Sequence, residues 1–184
     1  MNNTIIGIDP SLNSTGICVV SGDKTKYYNI VSKMTKKMKA FESPHVVLLP
    51  YEKLTSNETY AGKEAAKSHN IYCICRHIKN ILMVFHPKRV VMEGVSYGSV
   101  GSAALVDLSG LNFAIRMILE EMKIEYEIVP PTAMKKFATG NGQAEKEIII
   151  NAWKRLDYNI SNIKDIKVDD LADSYFLAHY QSNT

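Results

Sequence analysis

Acidic residues stand at positions in this sequence from which they could bind a divalent cation together. Asp9 ends the apolar run IIGID, and Glu93 ends a second apolar run, RVVME. The last predicted helix contains three more acids, namely Asp169, Asp170 and Asp173. Residues three or four positions apart share a helix face, so Asp173 can act together with either of the other two. An ionised carboxylate beside a buried apolar run is costly unless a positive partner meets it.

Each acid taken alone also has an ordinary structural interpretation. The segment after Ile8, DPSLNSTG, is typical of a turn in which Asp9 accepts backbone N–H bonds. Asp169 suits a helix N-cap, and Asp170 suits the positive end of the helix dipole. Four converging carboxylates are different, because like charges repel one another unless a cation lies among them. Oxygen ligands favour Mg²⁺ or Mn²⁺ over zinc, so the acids predict a site for a hard cation.

The acids can meet only if the strands and helices that carry them are neighbours. Apolar runs predict strands at residues 4–9, 16–21, 27–31, 89–93 and 124–129, and HVVLLP at 45–50 could add a further short strand. Helical spacing predicts helices at residues 56–85, 102–122, 133–138, 144–156 and 168–180. Short turns and helical crossovers together indicate a mixed sheet flanked by helices. If the strands of Asp9 and Glu93 are parallel neighbours, the two acids lie side by side.

Length and composition restrict the class of protein. The chain of 184 residues fits a single domain over residues 1–184, and its 46% apolar and 22% charged content is ordinary for a globular protein. A net charge of +3 permits nucleic-acid binding without demonstrating it. Three cysteines without paired spacing favour a reduced chain over a zinc site. No apolar run reaches the roughly 18 residues of a membrane span, so we expect a soluble protein of the cytoplasm.

Four sequence blocks resemble the RuvC family of Holliday-junction resolvases. They are GIDPSLNSTG, VVMEGV, PPTAMKKFATGNGQAEKEII and DDLADSYFLAHY, which follow the family's order and span most of the chain. The resemblance implies an RNase H-like α/β fold, with a mixed five-stranded sheet and helices on both faces. It also implies a metal-dependent endonuclease that resolves four-way DNA junctions by paired symmetric nicks, leaving 5′-phosphate and 3′-hydroxyl ends.

The resemblance implies a metal-ligand set. Asp9, Glu93, Asp170 and Asp173 match the family's four acids, which would hold two Mg²⁺ or Mn²⁺ ions and make these residues catalytic. Asp169 is adjacent to the third of them and stays an alternative ligand.

The resemblance also implies contacts with DNA. Lys135 and Lys146 match basic residues that the family places near the scissile and flanking phosphates, with Lys146 in a catalytic role. Lys136 is a further candidate for DNA binding. The family often places an aromatic residue after the second acid, where it stacks at the junction centre. This sequence has Ser96 at the aligned position, and Tyr97, one residue later, is the candidate.

Paired nicks in a two-fold symmetric junction predict a C2 homodimer, with the helix at 102–122 as the interface. The sequence departs from the family in the segment after Glu93, at Ser11, where the family has glycine, and at residues 33–55, which form a longer connection. Two alternatives therefore stay open. One is a broader nuclease that also cuts three-way junctions and replication forks. The other is a non-catalytic module that binds junctions.

Overall fold

The computed structural model describes residues 3–39, 43–56, 58–96, 102–157, 160 and 168–181 of the chain. The strands are β1 (Ile5–Asp9), β2 (Ser14–Ser21), β3 (Lys24–Val31), β4 (Val46–Pro50), β5 (Arg89–Glu93) and β6 (Glu125–Val129). They form a six-stranded sheet in the order β4-β3-β2-β1-β5-β6. The sheet is mixed, as the sequence predicts.

The expectation of five strands is wrong by one, because the run HVVLLP does form a strand. β4 pairs in parallel with β3 at one side of the sheet, from Tyr27 opposite Val46 to Val31 opposite Pro50. The backbone N–H of Tyr27 also donates to the carbonyl of His45 over 2.7 Å. The longer connection noted at residues 33–55 thus supplies the extra strand.

The helices are α1 (Lys36–Lys39), α2 (Tyr60–Phe85), α3 (Ser102–Glu121), α4 (Pro131–Thr139), α5 (Lys146–Leu156) and α6 (Val168–Ala178). The second begins later than the predicted residue 56, because Thr59 is its N-cap and accepts a hydrogen bond from the N–H of Gly62 over 3.0 Å. None of the described helices combines the length and apolar character that crossing a bilayer requires.

Strand directions decide where the acids can meet. β1 is antiparallel to β2 and parallel to β5, and β5 is parallel to β6. β3 is antiparallel to β2 and parallel to β4. Every strand except β2 therefore ends at the same edge of the sheet, which we call the carboxyl edge. Asp9 and Glu93 are the last residues of β1 and β5, and both lie there.

The two faces of the sheet carry separate apolar cores. Alternate residues of a strand point to opposite faces. Ile8 packs with Ile78 of α2 and Leu111 of α3 on one face. Val91 packs on the other face in a core that includes Trp153 of α5 and several residues of α6. The predicted arrangement, with helices on both faces, is confirmed.

Candidate active site

Asp9 and Glu93 are neighbours at the carboxyl edge. The recorded pairs of β1 with β5 run to Ile8 opposite Met92, so the next residues along are the two acids. Ile8 and Met92 belong to the core under α2 and α3, and the acids alternate with them toward the face that carries α6. Asp9 is only 8% exposed. Its carboxyl group and that of Glu93 are close enough to share a hydrogen bond.

Two glycines let α6 lie directly on the backbone of the sheet. A Cβ atom at Gly16, which pairs with Asp9, would stand 2.0 Å from the backbone oxygen of Asp170. A Cβ atom at Gly7 would stand 2.0 Å from the backbone oxygen of Ser174. Neither distance is compatible with a side chain, so any other residue would displace the helix. Because these two residues have no side chain, α6 can pack close enough to bring its acids beside the end of β1.

The clustered acids repel one another in a largely dry setting. Burial raises the pKa of Asp9 well above its usual value, and the charges of Glu93, Asp173 and Asp170 add to the effect. Burial also raises the pKa of Glu93. Burial and the charges of Glu93 and Asp170 raise the pKa of Asp173 to about 7. A cation among these carboxylates would relieve the repulsion.

Two lysines lie within electrostatic range of the acids. Lys146, the first residue of α5, has a side chain 73% exposed, and its ammonium group donates to Asp169 Oδ2 over 2.8 Å. Burial alone would raise the pKa of Asp169, but the hydrogen bond and charge of Lys146 hold this pKa below its usual value. The charges of Lys135 and Lys146 also oppose the rise in the pKa of Glu93.

Donor type and charge both suit a hard divalent cation. The four acids at the carboxyl edge offer only oxygen donors, which Mg²⁺ and Mn²⁺ prefer. Within the described ranges, no three acidic, histidine or cysteine side chains are already spaced as a metal-binding group. The fit therefore rests on buried negative charge from three separate elements, β1, β5 and α6, rather than on preformed ligand distances.

The two other predicted residues are Lys136 and Tyr97. Lys136 is exposed on α4, and its charge is not among the main charges that act on Asp9, Glu93 or Asp173. Tyr97, the candidate junction wedge, lies outside the described residues.

Sequence reasoning missed three residues that shape this edge. Gly7 and Gly16 admit α6, and a glycine inside a strand is a signal of close backbone approach that could have indicated them. Asn112 of α3 is 1% exposed, and its Nδ2 donates to the backbone carbonyl of Glu93 over 2.9 Å. A polar residue between the apolar neighbours Leu111 and Phe113 was the available signal for Asn112.

Comparison with known proteins identifies the family. The model of the family described as "Crossover junction endodeoxyribonuclease RuvC" matches residues 5–179. The RuvC of Sulfurovum sp. (strain NBC37-1) is 27% identical over 175 residues, covering 95% of this chain and 91% of that protein. The RuvC of Prochlorococcus marinus (strain MIT 9301) is 26% identical over 175 residues, covering 95% of this chain and 92% of that protein.

Solved structures agree on the fold. A structure of T. thermophilus RuvC in complex with Holliday junction substrate aligns with a TM-score of 0.62 at 17% identity, covering 96% of this chain and 90% of that one. A second structure of Thermus thermophilus RuvC aligns with a TM-score of 0.56 at 18% identity, covering 95% of this chain and 90% of that one. Because the family model spans nearly the whole sequence, the chain belongs to the RuvC family of crossover junction endodeoxyribonucleases.

Proposed function

We propose that this chain is a metal-dependent endonuclease that resolves four-way DNA junctions by paired symmetric nicks, leaving 5′-phosphate and 3′-hydroxyl ends. The observation that carries the proposal is the convergence of Asp9, Glu93, Asp170 and Asp173 at the carboxyl edge, with Lys146 beside them. Membership of the RuvC family supports it, and so does a structural neighbour in complex with Holliday junction substrate.

The four acids would hold two Mg²⁺ or Mn²⁺ ions. When bound, the ions supply an activated water for in-line attack on the phosphate and stabilise the leaving 3′ oxygen. Asp9 has Glu93 on one side and the proposed ligands of α6, Asp170 and Asp173, on the other. Its carboxylate could therefore contribute to the binding of both ions. Asp170 rather than Asp169 is the ligand in this proposal, since Asp169 is engaged by Lys146 and the charge of Asp170 acts on Asp9.

The lysines act on the DNA phosphates. The exposed ammonium group of Lys146 is held near the acids by Asp169, from where it can neutralise the charge that develops on the scissile phosphate. Lys135 also lies within electrostatic range of Glu93 and would contact a flanking phosphate. Lys136 would contact the backbone farther from the nick. Tyr97 would stack at the centre of the opened junction.

A homodimer would supply the second nick. Val106, Phe113 and Met117 follow one another on α3 at helical spacing, and they are 68%, 57% and 72% exposed. An exposed apolar stripe of this kind is typical of a surface that a partner covers. A C2 dimer through α3 would present two active sites related by the symmetry of the junction.

We also propose that residues 1–184 act as one nuclease domain and that this dimer works in the cytoplasm.

The test is a nicking assay with end-labelled four-way, three-way, forked and linear DNA. The parent protein and Asp9→Asn are compared in Mg²⁺, Mn²⁺ and EDTA, with Asp23→Asn at an exposed position as the matched control. We expect paired symmetric nicks in the four-way junction, and a loss of cutting by at least about a thousandfold with EDTA or Asp9→Asn. Junction binding should persist in Asp9→Asn, and Asp23→Asn should cut like the parent.

Other outcomes would replace the proposal. Metal-dependent cutting of three-way and forked DNA at equal rates would indicate the broader branched-DNA nuclease. Binding without cutting in either metal would indicate a non-catalytic junction-binding module. Equal cutting by the parent and Asp9→Asn would exclude the proposed metal site.

A further inference from the structure

A buried asparagine with an incomplete set of hydrogen bonds lies close to the proposed metal site. Asn29 of β3 is 0% exposed. The hydroxyl of Ser14 donates to Asn29 Oδ1 over 3.2 Å, which determines the orientation of the amide. In the part of the chain that the structure describes, Nδ2 is buried and has no hydrogen-bond partner. A buried donor without an acceptor costs free energy that an apolar side chain at this strand position would avoid.

The pairing of the strands places Asn29 next to the acids. Gly16 of β2 pairs with Asp9 on one side and with Asn29 on the other. Paired residues of neighbouring strands point to the same face of the sheet, so Asp9 and Asn29 both point toward the face that carries α6. The helix contacts all three of these strands. Asn29 and Asp9 therefore flank the part of α6 that lies on Gly16.

Asp170 is the residue of α6 that lies over this glycine. A Cβ atom built on Gly16 would stand 3.0 Å from the Cβ atom of Asp170. Opposite Cβ atoms of neighbouring strands are up to about 5.5 Å apart, so the Cβ atoms of Asn29 and Asp170 are separated by no more than about 8.5 Å. An amide and a carboxylate that each extend two bonds beyond Cβ can span this separation with one hydrogen bond of about 2.9 Å. Asn29 is thus within reach of the Asp170 carboxylate.

A neutral donor suits this position better than a charged one. The negative charges of Asp170 and Asp9 act on each other. A hydrogen bond from the side opposite Asp9 would fix the direction of the Asp170 carboxylate, as hydrogen bonds to metal-binding carboxylates do. An amide does this without a positive charge that would compete with the ions. The neighbouring Asp169, in contrast, is paired with the ammonium group of Lys146.

We propose that Asn29 is a positioning residue of the metal site, whose Nδ2 donates to the Asp170 carboxylate when the ions are bound. The inference rests on the proposed function, because it takes Asp170 as a metal ligand. It adds β3 to the elements that build the site, although β3 supplies no ligand of its own.

The first arm of the test measures Mn²⁺ binding by the metal-free protein without DNA, from the electron paramagnetic resonance signal of free Mn²⁺. Asn29→Leu removes the donor at similar volume, and Asn29→Thr removes it with a residue that suits a strand. Asn70→Leu is the matched control, because Asn70 of α2 is also a buried amide but bonds to the backbone of Leu54. We expect the Kd for Mn²⁺ to rise about tenfold to a hundredfold in both Asn29 variants and to keep the parent value in Asn70→Leu.

The second arm tests whether Asn29 acts through Asp170. Asn29→Leu is combined with Asp170→Ala and, separately, with Glu93→Ala. We expect Asn29→Leu to weaken Mn²⁺ binding further in the Glu93→Ala background. In the Asp170→Ala background it should change the Kd by less than about twofold, because the acceptor of the amide is then missing. An equal further loss in both backgrounds would overturn the proposed contact.

A purely structural role of Asn29 predicts a different result. Thermal unfolding in EDTA is measured for every variant, so that binding is compared between folded proteins. If Asn29 served only as the acceptor for Ser14, both Asn29 variants would unfold at a lower temperature and bind Mn²⁺ like the parent. That outcome would overturn the inference.

The inference and the proposed function can fail separately. Cutting of a four-way junction is measured with the same variants over a range of Mn²⁺ concentrations, and the concentration for half-maximal cutting should rise by the same factor as the Kd. Weaker Mn²⁺ binding by the Asn29 variants of a protein that cuts no junction would support the positioning role and remove the nuclease. Equal Mn²⁺ binding by the parent and both variants, with normal cutting by the parent, would overturn the inference and leave the nuclease standing.

Discussion

Two buried polar groups in this molecule differ in whether the chain itself supplies their partners. On the face of the sheet that carries α5, the hydroxyl of Tyr27 donates to Asp157 Oδ2 over 2.7 Å and accepts from Trp153 Nε1 over 2.9 Å. At the carboxyl edge, Asp9 is buried among acids of like charge, whose repulsion raises its pKa further. The first group is satisfied by the chain itself, and the second is arranged for something that the chain does not supply.

A buried polar residue can therefore have either of two roles. A complete hydrogen-bond network stabilises one arrangement of the core and needs no ligand. A cluster of like charges lowers the stability of the folded chain, so it persists only where function requires it. Substitutions in the two groups should therefore change the free energy of unfolding by different amounts and in different directions.

The largest effect is expected where α6 contacts the sheet. Gly16→Ala places a Cβ atom 2.0 Å from the backbone oxygen of Asp170. We expect a loss of about 3 kcal/mol or more in the free energy of unfolding, because a backbone contact cannot yield as a side chain can. Urea unfolding measures it. Gly22→Ala is the control, since its φ of +61° carries strain but its Cβ meets nothing within 4 Å. A variant as stable as Gly22→Ala would contradict the proposed close approach.

The second largest loss of stability is expected in the hydrogen-bond network around Tyr27. Tyr27→Phe removes a hydroxyl that serves both Asp157 and Trp153, and we expect a loss of about 1 to 3 kcal/mol. The cutting rate should equal that of the parent, because the network lies away from the carboxyl edge. Tyr72→Phe, at a 60% exposed position, should change stability by less than about 0.5 kcal/mol. If Tyr27→Phe cut more slowly and were as stable as the parent, the network would serve function rather than stability.

The third substitution, at Asp173, is expected to raise the free energy of unfolding rather than lower it. The pKa of Asp173 is about 7 in the folded chain, against about 3.9 for an unfolded aspartate. Between these values the folded state binds more protons than the unfolded state, so the metal-free protein should lose stability as the pH rises from 4 to 7. Asp173→Asn should flatten that slope and raise the free energy of unfolding at pH 7.5 by roughly 1 kcal/mol while abolishing cutting.

Thermal unfolding in EDTA across this pH range measures the third effect, with Asp23→Asn as an exposed control. Adding Mg²⁺ should stabilise the parent more than Asp173→Asn. Stability that rises from pH 4 to pH 7 with the same slope in both proteins would show that the acids do not repel one another.

The smallest effect on stability is expected at Lys146. Its ion pair with Asp169 involves a side chain 73% exposed, so Lys146→Ala should change the free energy of unfolding by less than about 0.5 kcal/mol. Cutting should nevertheless fall at least about tenfold, because charge on the phosphate loses its partner. Lys24→Ala, at an exposed position in β3, is the matched control. Equal cutting by Lys146→Ala and Lys24→Ala would show that Lys146 forms a surface ion pair and has no role in cutting.

Much of the fold follows from local patterns. Apolar runs located β1, β5 and β6, and helical crossovers predicted parallel pairing in this part of the sheet. Asp9 was expected beside Glu93 only if their strands are parallel neighbours, and the pairing of β1 with β5 meets that condition. The expected five-stranded sheet left out β4, because a short apolar run forms a strand only if a neighbouring edge is open to it. The choice between Asp169 and Asp170 could not be made from spacing, since both share a helix face with Asp173.

The amino-acid sequence alone indicates most element types, the acids at the strand ends and the four blocks that resemble the RuvC family, because periodicity and motif order are properties of neighbouring residues. Three contacts depend on the packing of the whole chain: α6 on Gly7 and Gly16, Lys146 with Asp169, and Asn112 with the backbone carbonyl of Glu93. These contacts join residues far apart in the chain. Their distances depend on how whole helices pack on the sheet, which no local pattern encodes.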